Sequence, residues 1–358
     1  MFKKRWPWIV GGVLAVLAVG AWFAYDAMTG PMYHPGEVRS ALGLREPLTP
    51  PPQDGDVQHW RVARDIELYH FEQGSGDDVL TVSGGPGFVH LEPWKAGAEL
   101  GAHFRLHYYH QRGCGHSTRP IDKLDGKDFY HSLLKLNSTL GLGAQIADIE
   151  RIRRILGRDR LILAGHSFGA LFAALYAVEF PEHVRALVFI SPANMAKLPN
   201  RDADLFAYLR SRLPAEKLPA YDQFLKEYFD FSGGMQKSDA ELAASYRRFG
   251  EFYAAASPGF DLPAGEQAAM QLNGGMMPLA IFFSMGSRHD FRDALRKVQA
   301  PVLTITGAND LTPRAWCEAF NNLFPNHTFV ELQGAGHFSF DDRPAEFAAA
   351  FEKFIAQH

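Results

Sequence analysis

Apolar and polar positions change their spacing several times along the chain, and each change marks an element. Short, nearly continuous apolar runs at 79–82, 104–110, 160–165, 186–190, 301–306 and 328–332 have the length and character of strands buried on both faces. Two further strands are predicted between 57 and 73, around a turn at Arg64-Asp65. Helical spacing separates these runs. Ile146, Ile149, Ile152 and Leu156 fall on one face of a helix near 143–156 that Gly157 ends, a reading that turns Arg151, Arg153 and Arg154 to solvent. A second helix over 171–180 is closed by Pro181. Strands alternating with helices predict an α/β architecture with a mostly parallel sheet. From 191 to about 298 the strand signal lapses into helical stretches thick with Phe and Tyr, read as a helical cap inserted after the sixth strand. The expected boundaries are 1–28 for an apolar leader, 29–56 for a Pro-rich tether or arm, 57–192 and 298–358 for the two parts of the core, and 193–297 for the cap.

The leader changes the expected location. Lys3-Lys4-Arg5 precede an apolar run over 6–25, about 30 Å long as a helix and so of bilayer length. Trp6, Trp8, Trp22 and Tyr25 near its ends suit membrane interfaces, and the basic residues orient the remainder outward. The expectation is a membrane-anchored protein with its catalytic body on the outer, extracytoplasmic side, or an exported one if Ala18-Val19-Gly20 is cleaved.

Composition narrows the partners. Of 358 residues 47% are hydrophobic, enough for a large core, and a net charge of -4 without long like-charge blocks gives no electrostatic case for nucleic acid. Cys114 and Cys317 are too few for a disulfide framework. His103, His107, His110 and His116 straddle a strand and a turn without a second ligand cluster, so neither a metal nor an organic cofactor is expected.

The chemistry gathers at strand ends. Gly165-His166-Ser167-Phe168-Gly169 lies where an apolar strand passes directly into an apolar helix, the context of a nucleophile elbow that lifts the Ser167 hydroxyl clear of the sheet. Ser83-Gly84-Gly85-Pro86-Gly87 follows an earlier strand, so that the Gly85 and Phe168 N–H groups are the candidate oxyanion donors. Asp310 and His337 each follow a later strand, giving the chain order Ser, Asp, His. In that arrangement His337 takes the proton of Ser167 and returns it to the leaving group, while Asp310 fixes the tautomer and balances the imidazolium. Asp341 and Asp342 lie just past His337 and are read as the start of a final helix.

These residues, with His110-Gln111-Arg112-Gly113-Cys114-Gly115-His116-Ser117-Thr118, Asn137-Ser138-Thr139 and Ala147-Asp148-Ile149-Glu150-Arg151, resemble the proline iminopeptidase family over 57–192 and again from 301 to the end. The resemblance implies a capped α/β-hydrolase fold and removal of N-terminal residues, proline being the type specificity. The sequence departs from the family pattern, which usually has His at Ser83 and Asp at His110. Family aminopeptidases hold the substrate ammonium with cap carboxylates. Here Glu251, one place late after Tyr246-Arg247-Arg248-Phe249-Gly250, is the candidate, with Glu227 and Glu266 behind it, and a second family stretch has no counterpart. The expected function is therefore a serine aminopeptidase acting on short peptides. The alternative is an esterase or amidase for a small apolar acyl group. A non-catalytic binding protein predicts a missing triad member, and none is missing.

Overall fold

Eight strands form one sheet in the order β1-β2-β4-β3-β5-β6-β7-β8 in this computed structural model, which describes residues 29–126, 128–257 and 264–358. The strands are β1 His59–Ala63, β2 Ile66–Gly74, β3 Asp77–Val82, β4 Phe104–Tyr109, β5 Leu161–His166, β6 Val184–Ile190, β7 Val302–Gly307 and β8 His327–Leu332. β2 pairs antiparallel with β1 and β4, and every pairing from β4 onward across the sheet is parallel. The sheet is mostly parallel and flanked by helices, the architecture that the α/β-hydrolase expectation requires.

The longer helices are α1 Phe129–Leu140, α2 Leu142–Ile155, α3 Gly169–Glu179, α4 Leu205–Arg212, α5 Leu218–Tyr228, α6 Asp239–Ala256, α7 Met276–Met285, α8 Arg314–Asn321 and α9 Pro344–Ile355. β5 and β7 are buried at every position because both sheet faces are covered. Leu163, Leu187 and Phe189 pack with α2 and α3, whereas Ile162, Ala164 and Val188 pack with Phe347 and Phe351 of α9. Helices α4 to α7 all lie between β6 and β7. The first three share a cluster of Leu209, Tyr221, Phe224 and Phe252 that also takes in Leu311, from the loop after β7.

The segment read as a tether or arm is packed down along its N-terminal part. Tyr33 is fully buried, its hydroxyl donates to Glu179 Oε1 at 2.8 Å, and its ring meets Phe291 edge-on at 5.7 Å. The Gly36 and Arg39 N–H groups donate to the same Glu179 carboxylate at 2.7 and 2.9 Å. The Met32 and Tyr33 N–H groups reach the Ser284 carbonyl of α7 at 2.9 and 3.0 Å, so the arm bridges α3 to the helical insertion. Burial, with Glu179 facing it, raises the Glu37 carboxyl to about 7. That lies above its ordinary value, so the stability Glu37 gives docking is fully present below about pH 4.5 and is lost as pH rises through about 7. Limited proteolysis of the arm is expected to be faster at pH 8 than at pH 5.5, and Glu37→Gln is expected to remove most of that difference. Equal rates for the native chain at both pH values would refute it.

The arginines of α2 correct the sequence reading. Arg151 and Arg153 are buried and only Arg154 reaches solvent appreciably, because carboxylates and backbone carbonyls lie where solvent was expected. Arg151 donates to Asp148 Oδ1 at 2.9 Å and to the carbonyls of Glu46 and Pro47 in the arm. Arg153 forks onto Glu150, both bonds at 2.8 Å.

The membrane-anchored placement is also corrected. Among the described residues no helix is long and apolar enough to cross a membrane. The most apolar of the longer helices, α7, has 10 residues and spans about 15 Å, half of what a bilayer requires. The run at 6–25 and the cleavage site within it lie outside the described residues.

Candidate active site

Ser167 sits where β5 turns into α3, with φ of +53° in the left-handed region. Two glycines permit the turn. A Cβ on Gly165 would lie 2.6 Å from the Gly169 carbonyl oxygen, and one on Gly169 would lie 2.0 Å from that of Val82. Between Leu161 and Ala177 every residue is buried except Ser167, which is half-buried. Ser167 is therefore the one residue of the turn that reaches the surface.

The loop after β3 closes against this turn. A Cβ on Gly84 would meet Ser167 Cβ at 2.8 Å and the Phe168 nitrogen at 3.4 Å, so only glycine allows the approach. The Phe88 N–H bonds back to the Gly84 carbonyl at 3.1 Å, curling the loop, and Gly85 takes a φ of +108°. Phe168 precedes the first residue of α3, where helical N–H groups have no intrahelical acceptor. Among the described residues neither the Gly85 nor the Phe168 N–H donates to another backbone carbonyl.

Asp310 and His337, on the loops after β7 and β8, are brought together. His337 Nδ1 lies 3.1 and 3.0 Å from the two Asp310 carboxylate oxygens, with exposures of 12% for the imidazole and 0% for the carboxylate. Burial would push the Asp310 carboxyl up, but the facing His337 and the Thr312 N–H, at 2.9 Å, together hold it below its ordinary value. Asp310 is thus an ionised acceptor. The elbow and the His337 loop are tied by His166, whose Nε2–H donates to the His337 carbonyl at 3.0 Å while the two rings lie 4.8 Å apart. Burial keeps His166 neutral, well below its ordinary titration range.

Two residues near the pair were not singled out in the sequence. His166 was read only as the variable position of the motif. Tyr253 of α6, whose hydroxyl donates to Asp310 Oδ1 at 3.2 Å, stood unmarked in a stripe of aromatics.

The candidate amine ligands lie elsewhere. Glu251 is exposed, and it stands about 200° around α6 from Tyr253. Glu227 pairs with Arg248 at 2.5 Å, and the side chain of Glu266 lies outside the described residues. Asp341 and Asp342 are engaged by the Lys95 and Gly336 N–H groups, each at 2.8 Å. His110, at the departure from the family pattern, is buried, donates to the His90 carbonyl at 2.9 Å and is held neutral, its titration lowered to about 4 by burial. A shallow cavity rimmed by Asp77, Asp78, Arg158 and Arg185 opens at the amino ends of the parallel strands, the opposite edge from Ser167.

Residues 79–344 match the family described as the alpha/beta hydrolase fold. A proline iminopeptidase from Heyndrickxia coagulans is 26% identical over 293 residues, 79% of this chain and 92% of that protein. A pimeloyl-[acyl-carrier protein] methyl ester esterase from Salmonella agona is 27% identical over 285 residues, 77% and 93% of the two chains. The crystal structure of a proline iminopeptidase from Mycobacterium smegmatis superposes with a TM-score of 0.58 at 21% identity, covering 82% of this chain and 96% of that one.

Proposed function

The chain belongs to the α/β-hydrolase fold family, and from that premise we propose that it is a serine hydrolase working through an acyl-enzyme on Ser167. The observation that carries this reading is the Asp310 to His337 pair, at 3.0 to 3.1 Å, on loops at the strand ends beside the elbow. In the proposed cycle His337 removes the Ser167 hydroxyl proton as Oγ bonds to the substrate carbonyl carbon. The Gly85 and Phe168 N–H groups receive the oxyanion. His337 then protonates the leaving group as its bond to the carbonyl carbon breaks. A water, deprotonated by the same imidazole, releases the acid and restores the serine.

For substrate we propose short peptides with a free N-terminal proline or another N-terminal residue. Support comes from the similarity to proline iminopeptidases over three quarters or more of this chain. The helices of residues 193–297 are, in this reading, the cap over the site.

A second reading, an esterase for an apolar acyl group, is favoured by one observation. A buried ammonium needs a paired carboxylate. Of the candidate ligands, Glu251 is exposed and Glu227 is bound to Arg248, and the one acid buried among the described cap residues, Asp239, holds the Gly275 and Met276 N–H groups at 2.9 and 2.7 Å. Turnover of prolyl and alanyl anilides, free and N-blocked, beside short acyl p-nitrophenyl esters separates the two. The peptidase reading expects at least about a hundredfold preference for the free amine, because leaving that charge unpaired is heavily penalised. Turnover of esters alone would replace it with the second reading.

A further inference from the structure

We propose that Tyr253 is a positioning residue of the hydrolytic site, supplied by α6 of the insertion, whose hydroxyl donates to Asp310 and holds the carboxylate in the orientation His337 requires. The inference rests on the serine hydrolase reading above.

Three donors converge on Asp310 Oδ1: the Thr312 N–H at 2.9 Å, His337 Nδ1 at 3.1 Å and the Tyr253 hydroxyl at 3.2 Å. Oδ2 accepts from His337 alone among these, at 3.0 Å. A carboxylate only accepts, so the phenol must be the donor. Burial and the Asp310 charge push its titration well above the ordinary tyrosine value, and the hydroxyl keeps its proton. The Thr312 side chain also hydrogen-bonds the phenol. Removal of the tyrosine leaves Oδ1 one donor short, and the carboxylate is then oriented only by the Thr312 N–H, His337 and the nearby Ser191 side chain.

The ring serves the same end. It lies 5.7 Å from the His337 ring, covering the imidazole. Leu311, next to Asp310 in the chain, is buried in the insertion's own cluster, and Tyr208 of α4 meets Trp316 of α8 edge-on at 5.3 Å. Among the described residues the insertion thus grips the acid loop and the helix after it at three places. Of these, Tyr253 alone touches the carboxylate, so there the seating of the insertion sets the geometry of proton transfer.

The other titratable groups facing the pair are His166 of the elbow, held neutral by burial, and Cys317 of α8, pushed up to about 12 by burial and by Asp310. Burial keeps both uncharged, so a shift of the acid limb reports on the pair and its donors.

The test compares Tyr253→Phe, which keeps the ring and loses the donor, with Tyr253→Leu, which loses both, using p-nitrophenyl butyrate and alanyl p-nitroanilide. The Phe variant is expected to keep its thermal midpoint, lose about tenfold in kcat and change KM less than twofold, the cost of one donor to a buried charge. The acid limb of its kcat/KM profile is expected to move up by about half a pH unit, because a carboxylate with fewer donors holds the imidazolium more tightly. Native kcat and an unmoved limb in the Phe variant, with loss only in the Leu variant, would overturn the inference, since the ring alone would then matter. So would failure of the Phe variant to fold, which would make the hydroxyl structural. Failure of the underlying reading is distinct: the native chain would then show no turnover that Ser167 controls.

Discussion

Ser167→Ala is expected to lower kcat/KM on any ester or anilide the native chain hydrolyses by at least about a thousandfold, with folding intact. The size follows from what is removed. No other described hydroxyl occupies the turn that Gly165 and Gly169 hold open, so the acyl-enzyme has no substitute nucleophile. The oxyanion donors and the binding surface remain, and they account for whatever residue of activity persists above the uncatalysed rate. Alanine keeps the Cβ that the backbone already tolerates at φ of +53°, so the far-ultraviolet spectrum and thermal midpoint should match the native protein. Labelling by a fluorophosphonate probe should disappear in parallel. If the variant keeps more than a tenth of native turnover, Ser167 is not the nucleophile.

Asp148→Ala is expected to be the most destabilising single change in the core, by about 3–5 kcal/mol, because it strands buried positive charge. Arg112 forks onto both Asp148 oxygens, each bond at 2.5 Å, and donates to the Thr139 carbonyl at 3.1 Å. Arg151 adds a third bond to the same carboxylate, and all three side chains are about 1% exposed. Neither guanidinium can shed its charge. The cluster as such is not the source of the stability, and the decisive comparison is the triple variant Arg112→Met, Asp148→Leu, Arg151→Met, because Arg151 is the carboxylate's second buried partner. Replacing all three members with apolar groups should recover much of what the single change loses. Urea denaturation of the three proteins checks this. A single variant within about 1 kcal/mol of native would mean that water reaches the cluster.

Much of the fold was legible because its signals are local. β5, β6 and β7 are short runs buried on both faces, and such strands are read from the chain without knowing their neighbours. The elbow was legible for a similar reason, since two glycines flanking a serine at a strand end have few other uses. The arginines of α2 were misjudged because periodicity counts charge as polar and therefore outward. Asp148 and Glu150 stand on the same predicted helix, but nothing local revealed that this face is buried, or that carbonyls of the arm descend onto Arg151. Tyr253 was hidden by the opposite effect. Its neighbours Phe249 and Phe252 are packing residues, and a hydroxyl among them carries no mark until α6 is laid over the loop after β7.

The interruption between β6 and β7 also matters while the chain is being made. β6 ends at Ile190 and its sheet neighbour β7 begins at Val302, about 110 residues later. At typical synthesis rates the free edge of β6 waits about 5 to 20 seconds for its partner, and the apolar face under it waits as long. An unpaired buried-type edge is a template for pairing with another chain. Helices α4 to α6, which form a cluster largely their own, emerge during that interval. On the ribosome the insertion is thus made while the sheet is still open, and its own apolar cluster can gather before the last two strands arrive.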